Sequence, residues 1–231
     1  MNFIQPTWPA PKQIKAYSTV RSSWGGNVSN SKSAFSDQVL KSLLQLPDDP
    51  IWLTQTHSTT AIEATSANKG LNADASFTSE ANHVCAVLTA DCLPLLICNK
   101  SGTFVAAIHA GWRGLANGII ESTLKAATVP TQDLLVWLGP AIGPNKFEVG
   151  KDVFDVFTAH NPKATSAFKA TSDEKWHANL YDLARQHLQS HGITQIYGGD
   201  FCTHTQEDLF FSYRREGGRT GSIASLIWIA A

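Results

Sequence analysis

The sequence predicts an α+β fold, a single domain over residues 1–231 in which mixed β-sheets are flanked by helices. Three observations predict it. The 231 residues are 43% hydrophobic and 16% charged, a globular composition with apolar content for one large core and no linker to divide it. The apolar runs are short and end at Gly, Pro, Asn or Asp, as strands do. Helical periodicity recurs between them without strict alternation, which favours a mixed sheet over a regular βαβ array.

Taken in order, the first residues are Pro-rich and extended. Residues 17–30 (YSTVRSSWGGNVSN) read as a strand entering a Gly-Gly loop. Residues 36–46 place Val39, Leu40, Leu43 and Leu44 at helical spacing, with Ser36 as a cap and Pro47 and Pro50 as the stop. IWLTQTH (51–57) is a β-rich run closed by His57, and residues 65–80 are polar and turn-rich. HVCAVLTADCLPLLIC (83–98) is expected as strand, broken at Ala90–Pro94. NKSG is a turn, TFVAAIHA (103–110) a strand, and GWRGLANGIIESTLKAA (111–127) a helix. LLVWLGP is a buried strand and AIGPNKFEVG (141–150) a loop. VFDVFTAH and NLYDLARQHLQSHG are helices, the second with a glycine stop. ITQIYGGDFCT and GSIASLIWIA are strands, separated by the loop EDLFFSYRREGGRT. No internal repeat or low-complexity segment interrupts the pattern.

Charge narrows the function classes. The formal net charge is −1, so no basic field points to nucleic acid or an anionic membrane. No apolar run reaches the roughly 18–20 residues that span a bilayer, and the N-terminus does not read as a secretory signal. The four cysteines, Cys85, Cys92, Cys98 and Cys202, show no CxxC spacing. They read as reduced thiols, and a cytoplasmic setting is expected.

His57 in TQTHS, Cys92 in TADCLP and His109 in AAIHAGWRG are the candidate catalytic and metal-ligating residues. Imidazole and thiolate suit zinc, and a set of three leaves one coordination position open, as catalytic zinc sites do. Each residue falls where an apolar run gives way to turn-forming residues. The plain alternative is a hydrogen-bonded structural histidine or a buried, inert thiol, the reading given to Cys85 and Cys98. The pairs His83/Cys85, His187/His191 and Cys202/His204 read as structural or surface. After His109, Gly111, Arg113, Gly114 and a helix start could form an anion site, or equally a tight turn with a solvated arginine. Arg21 and the Arg214–Arg215 loop are the other places for an anion. Asp74 and Asp91 are carboxylates of either chemical or turn-capping use.

The motifs LTQTH, ADASFT, AVLTADCLPLLI, AAIHAGWRGLANGII, WLGPAIGP, FEVG, CT and FFSYRREGGRTG run from about Val20 to the C-terminus. Together they resemble the laccase-domain family, also described as multicopper polyphenol oxidase-like, peptidoglycan editing factor-like and purine nucleoside phosphorylase proteins. The resemblance implies zinc on His57, Cys92 and His109. It implies phosphorolysis of adenosine, inosine, guanosine and methylthioadenosine, with possible adenosine deamination, so the partners are a nucleoside and phosphate. Three departures stand out. Ser58 replaces a frequent glycine, the 141–150 loop lacks the cysteines of some members, and GGRTGS replaces a G-x-TGR tail, which weakens any ligand role for Arg219. The alternatives are a copper-dependent polyphenol oxidase and a hydrolase of cell-wall precursors. Eight histidines and no H-x-H pair argue against a multicopper centre.

Overall fold

The computed structural model describes residues 3–24 and 37–231. Strands β1 (Phe3–Ile4) and β2 (Ile14–Thr19) lead to one 3-10 turn at Arg21–Trp24. Then come α1 (Asp37–Leu44), β3 (Ala61–Glu63), β4 (Ala75–Thr78), β5 (Cys85–Thr89), β6 (Leu93–Asn99) and β7 (Val105–Ala110). Next are α2 (Trp112–Ala116), α3 (Ile119–Ala127), β8 (Leu134–Leu138), β9 (Glu148–Gly150) and α4 (Lys151–His160). The chain ends through β10 (Phe168–Ser172), β11 (Lys175–Ala178), α5 (Leu180–Ser190), β12 (Gln195–Gly198), α6 (Tyr213–Glu216) and β13 (Ile223–Ile229).

Two main sheets stack face to face between helices. The larger has the order β12-β8-β6-β7-β4-β3 and the smaller β1-β2-β13-β5. The larger is mixed, as expected: β12–β8 and β3–β4 run parallel, the other pairs antiparallel. Its central strands are buried on both sides, so alternate residues feed two cores. Leu93, Leu95, Ile97, Ile108, Val136 and Leu138 pack under α3, α4 and α5. Leu96, Cys98, Val105, Ala107, Leu135 and Trp137 face the smaller sheet, meeting Val87, Ile223 and Ile227. The far face of the smaller sheet, with Ala86, Leu226 and Trp228, is covered by Leu40 and Leu44 of α1. The layers are therefore helix, sheet, sheet, helix.

Several sequence expectations need correction. IWLTQTH forms only isolated bridges, Ile51 with Cys85 and Thr54 with Asn72. Backbone bonds hold residues 51–54, and from Gln55 onward a side chain takes over: Gln55 Nε2 donates to the Leu88 carbonyl at 2.7 Å, and the Leu88 N–H donates to Gln55 Oε1 at 2.8 Å. The turn-rich 65–80 segment contains β4, the 141–150 loop contains β9, and residues 168–178 form a β10–β11 hairpin. The single helix expected over 111–127 breaks into α2 and α3 at Gly118, whose φ of 93° is left-handed. The 207–220 loop carries α6. The strand break expected at Ala90–Pro94 is narrower, residues 90–92 between β5 and β6, with Pro94 inside β6, and Gly192, at φ 78°, follows α5 as its stop. The Gly-Gly loop and the Ser36 cap lie outside the described residues. Among those, no helix is long and apolar enough to cross a membrane.

Candidate metal centre

The three residues selected from the sequence meet at one edge of the larger sheet. His109 is the penultimate residue of β7, opposite Pro94 of β6, and Cys92 immediately precedes β6. Because β6 runs antiparallel to β7, the end of one strand meets the start of the other. His57 comes from the irregular segment before β3 and is held at φ 60°, uncommon for a residue with a side chain. The ligating atoms of all three lie within 4.8 Å of one another. Cys92 Sγ is 3.7 Å from His57 Nε2, close to the roughly 3.5 Å between sulfur and nitrogen around a tetrahedral zinc. The His57 and His109 rings stand edge to face at 4.8 Å. His109 is buried, Cys92 half-buried and His57 exposed, so the cluster is reached from solvent on one side. Gly111 makes this convergence possible. A Cβ there would lie 2.7 Å from His57 Cδ2 and 3.1 Å from Cys92 Sγ.

Asp74, fully buried just before β4, positions two of the three ligands. Its Oδ1 accepts from His109 Nδ1 at 2.7 Å and from the His57 N–H at 3.0 Å. Its Oδ2 accepts the Thr56 and Ser58 N–H groups at 3.1 and 2.7 Å and the Ser58 hydroxyl at 2.7 Å. With Nδ1 committed, His109 keeps Nε2 for a metal, the carboxylate–histidine arrangement that fixes tautomer and ring direction. Burial raises the Asp74 pKa, but the donors from His109, Ser58 and Thr56 outweigh it and hold the carboxyl well below the usual range. The Ser58 hydroxyl adds a donor that a glycine there could not supply.

Asp91 secures the third ligand from the other side. It is left-handed at φ 85° directly before Cys92. Its carboxylate accepts the Thr203 hydroxyl at 2.5 Å, the Ser212 hydroxyl at 3.0 Å and the Arg214 N–H at 2.7 Å. Its carbonyl accepts the Ile142 N–H at 3.0 Å. One residue thus ties the Cys92 turn to the segments 141–143, 203 and 212–214. Sequence reasoning left both aspartates undecided. In the structure one bonds the His109 ring and the His57 backbone, and the other anchors a turn and its neighbouring loops.

The donor set fits a borderline-soft divalent metal. Burial raises the Cys92 pKa, but hydrogen bonds and positive charge from His109 and His57 bring it down to about 7. Burial lowers the His109 pKa, while Asp74 and Cys92 raise it to about 9. The thiolate that a metal requires is therefore accessible near neutrality. By contrast, burial pushes Cys85 and Cys98 up to about 12, and both are packed in the core.

The two candidate anion-binding arginines differ sharply. Arg113 is exposed on α2, stacked over Trp112 with its guanidinium carbon 4.4 Å from the ring centroid. Its carbonyl accepts the Asn117 N–H, but among the described residues its guanidinium makes no hydrogen bond or ion pair. Arg21 spends its donors on the Glu207 and Phe210 carbonyls and the Glu216 carboxylate, and it covers Phe211. Arg215 is likewise engaged, with the Thr203, His204 and Phe210 carbonyls and Glu216. Arg219 is exposed. His187 bonds Glu121 at 2.9 Å, and Cys202 Sγ accepts the Gly143 N–H at 3.2 Å. A cavity of about 480 Å³, lined by Gly143, Lys146, Tyr181, Arg185, Cys202 and Gln206, opens beyond the ends of β8 and β12 and includes none of the three ligands.

The fold and cluster define a class: a two-sheet protein with one solvent-accessible His2Cys group at the larger sheet's edge. The chain belongs to the family described as multi-copper polyphenol oxidoreductase laccase, which matches residues 25–230. It is 44% identical over 243 residues to a purine nucleoside phosphorylase of Haemophilus influenzae, covering 99% of each chain. It is 44% identical over 244 residues to purine nucleoside phosphorylase YfiH of Escherichia coli K12, covering 98% of each. The crystal structure of Neisseria meningitidis protein NMB0706 superposes with a TM-score of 0.93 at 41% identity, covering 100% of both chains.

Proposed function

We propose that this protein is a zinc-dependent purine nucleoside phosphorylase that cleaves adenosine, inosine, guanosine and methylthioadenosine with phosphate. The observation that carries the reading is the accessible His57–Cys92–His109 group, followed four residues after His109 by Arg113, whose guanidinium is stacked on Trp112. The names of the full-length relatives support it. Zinc is favoured by the mixed nitrogen–sulfur donors and by one such three-donor group among the described residues. A multicopper centre needs many more histidines than three neighbours supply.

Held by His57, Cys92 and His109, zinc supplies Lewis-acid stabilisation of negative charge. Asp74 keeps His109 in one tautomer and His57 in place, so the donor set is organised before substrate arrives. Arg113, carried on the turn after His109, offers a planar fork of donors to phosphate. A phosphate oxygen so held forms the bond to ribose C1′. The purine nitrogen leaves with the bonding pair as positive charge develops on the sugar, and it takes up a proton. Asp74 is an unsuitable general base because its lone pairs are already occupied by buried donors. This leaves the reading centred on phosphorolysis, with deamination of adenosine as a secondary activity.

Product analysis with adenosine tests the reading. Ribose 1-phosphate and adenine are expected in the presence of phosphate, with little turnover in its absence. Free ribose at equal rates without phosphate would replace the phosphorylase by a hydrolase. Arg113→Ala is expected to raise the phosphate KM by roughly 5- to 150-fold, the loss of a charged hydrogen bond, with zinc still bound. Arg113→Lys is expected to recover only part of it. Isolated protein carrying stoichiometric copper and oxidising phenols would favour the oxidase.

A further inference from the structure

We propose that Tyr213 is the platform on which the purine base stacks, a specificity role that rests on the nucleoside reading above. Among the described residues, the exposed large apolar side chains are Val39, Leu71 and Tyr213, and Tyr213 is the most open at 62%. Exposure alone carries nothing, because single surface aromatics are ordinary. What distinguishes Tyr213 is its tether. The residues on both sides of it, through the Ser212 hydroxyl and the Arg214 N–H, donate to the same carboxylate oxygen of Asp91. Asp91 is followed directly by Cys92. Summing standard bond lengths across the Arg214 hydrogen bond places the Tyr213 Cα within about 14 Å of the Cys92 Cα.

Several hydrogen bonds hold the backbone beneath the ring. Ser212 caps α6, accepting the Arg215 N–H at 3.2 Å. The Arg215 guanidinium bonds three backbone carbonyls and Glu216, and Arg21 reaches the same glutamate. One side of the ring lies against Gly218, where an added Cβ would come 3.2 Å from the Tyr213 hydroxyl and 3.3 Å from the ring. A backbone tethered through Asp91 to the Cys92 turn, a supported ring and free ring surface suit stacking by a flat heterocycle, which loses little side-chain freedom on binding. Stacking needs no particular ring substituents, so it suits adenine, hypoxanthine and guanine alike.

The test uses the zinc-loaded full chain. Tyr213→Ala is expected to raise the adenosine KM about 5- to 150-fold, the value of one base–aromatic stack. The phosphate KM and kcat should stay within about threefold, since uniform binding is lost rather than chemistry. Tyr213→Phe, which keeps the ring, is expected to restore the adenosine KM. Calorimetric binding of free adenine should follow the same order. Adenosine KM and adenine affinity unchanged in Tyr213→Ala overturn the platform and leave the phosphorylase reading intact. Adenine bound through Tyr213 by a wild-type protein that makes no ribose 1-phosphate supports the platform and removes the phosphorylase. A wild-type protein that binds neither adenine nor adenosine overturns both.

Discussion

Asp74 and Asp91 are both buried, and each stands beside the metal cluster, yet they are built into it differently. Asp74 points its carboxylate at the ligands themselves, bonding the His109 ring and the His57 backbone. Asp91 gives its carboxylate to Thr203, Ser212 and Arg214. The first sets the direction and tautomer of donor atoms. The second sets where the surrounding loops stand relative to Cys92. Metal affinity should therefore depend on Asp74, and the order of the outer wall, with Tyr213 on it, should depend on Asp91.

The largest effect is expected from removing Cys92, the candidate ligand that follows Asp91 and completes the group that Asp74 orients. Cys92→Ala should drop bound zinc from about one equivalent per chain to less than about a tenth, measured by elemental analysis after dialysis, and should abolish turnover. Circular dichroism should show the fold retained, because a core of this size does not need a metal to hold it. Full zinc occupancy in Cys92→Ala would remove the thiolate from the centre and with it the reason to compare the two aspartates.

Asp74→Asn should come next. The carboxamide turns one acceptor into a donor, facing backbone N–H groups of residues 56–58 that can only donate. Zinc affinity by chelator competition is expected to fall about 10- to 100-fold, and stability by roughly 3 kcal/mol as buried donors lose a charged acceptor. Asp91→Asn should be milder. Asparagine tolerates the left-handed backbone, and one oxygen still accepts. A loss of about 1–2 kcal/mol is expected, with zinc affinity nearly unchanged and amide exchange across 203–216 accelerated. If Asp91→Asn weakens zinc binding as much as Asp74→Asn, the division of labour fails.

How far the sequence showed this in advance follows from what each feature depends on. His57, Cys92 and His109 were legible because ligand-type residues stood at interruptions of apolar runs, and the central strands because their burial is written in residue type. The roles of Asp74 and Asp91 were not, since a turn cap and a ligand anchor look alike until residues 17 and 35 positions away arrive beside them. The β10–β11 hairpin was missed because it is largely exposed and polar. IWLTQTH was taken for a strand because it has strand composition. Its ladder partners are instead the Gln55 side chain, on Leu88, and Asp74, on residues 56–58.

The smallest effect belongs to an acid outside the cluster, and it serves as the control for both aspartates. Glu121 of α3 accepts from His187 Nδ1 of α5 at 2.9 Å, with about a third of its side chain exposed. Burial raises its pKa, but the His187 hydrogen bond dominates with its other partners, and the net shift is downward. A carboxyl depressed in the folded state stabilises the protein above its unfolded pKa, about 4.3. That contribution is lost as pH falls through the lower folded value. Glu121→Gln should therefore cost at most about 1 kcal/mol at pH 7, given the solvent screening at this position. Denaturant titrations at pH 7 and at decreasing acidic pH should show the difference from wild type shrinking toward zero. Zinc content and adenosine turnover at pH 7 should match wild type, because Glu121 bonds helices and no ligand. A Glu121→Gln protein that folds normally but loses zinc would show that the centre responds to helix packing at large, and Asp74 would no longer be distinguished by its direct bonds to the ligands.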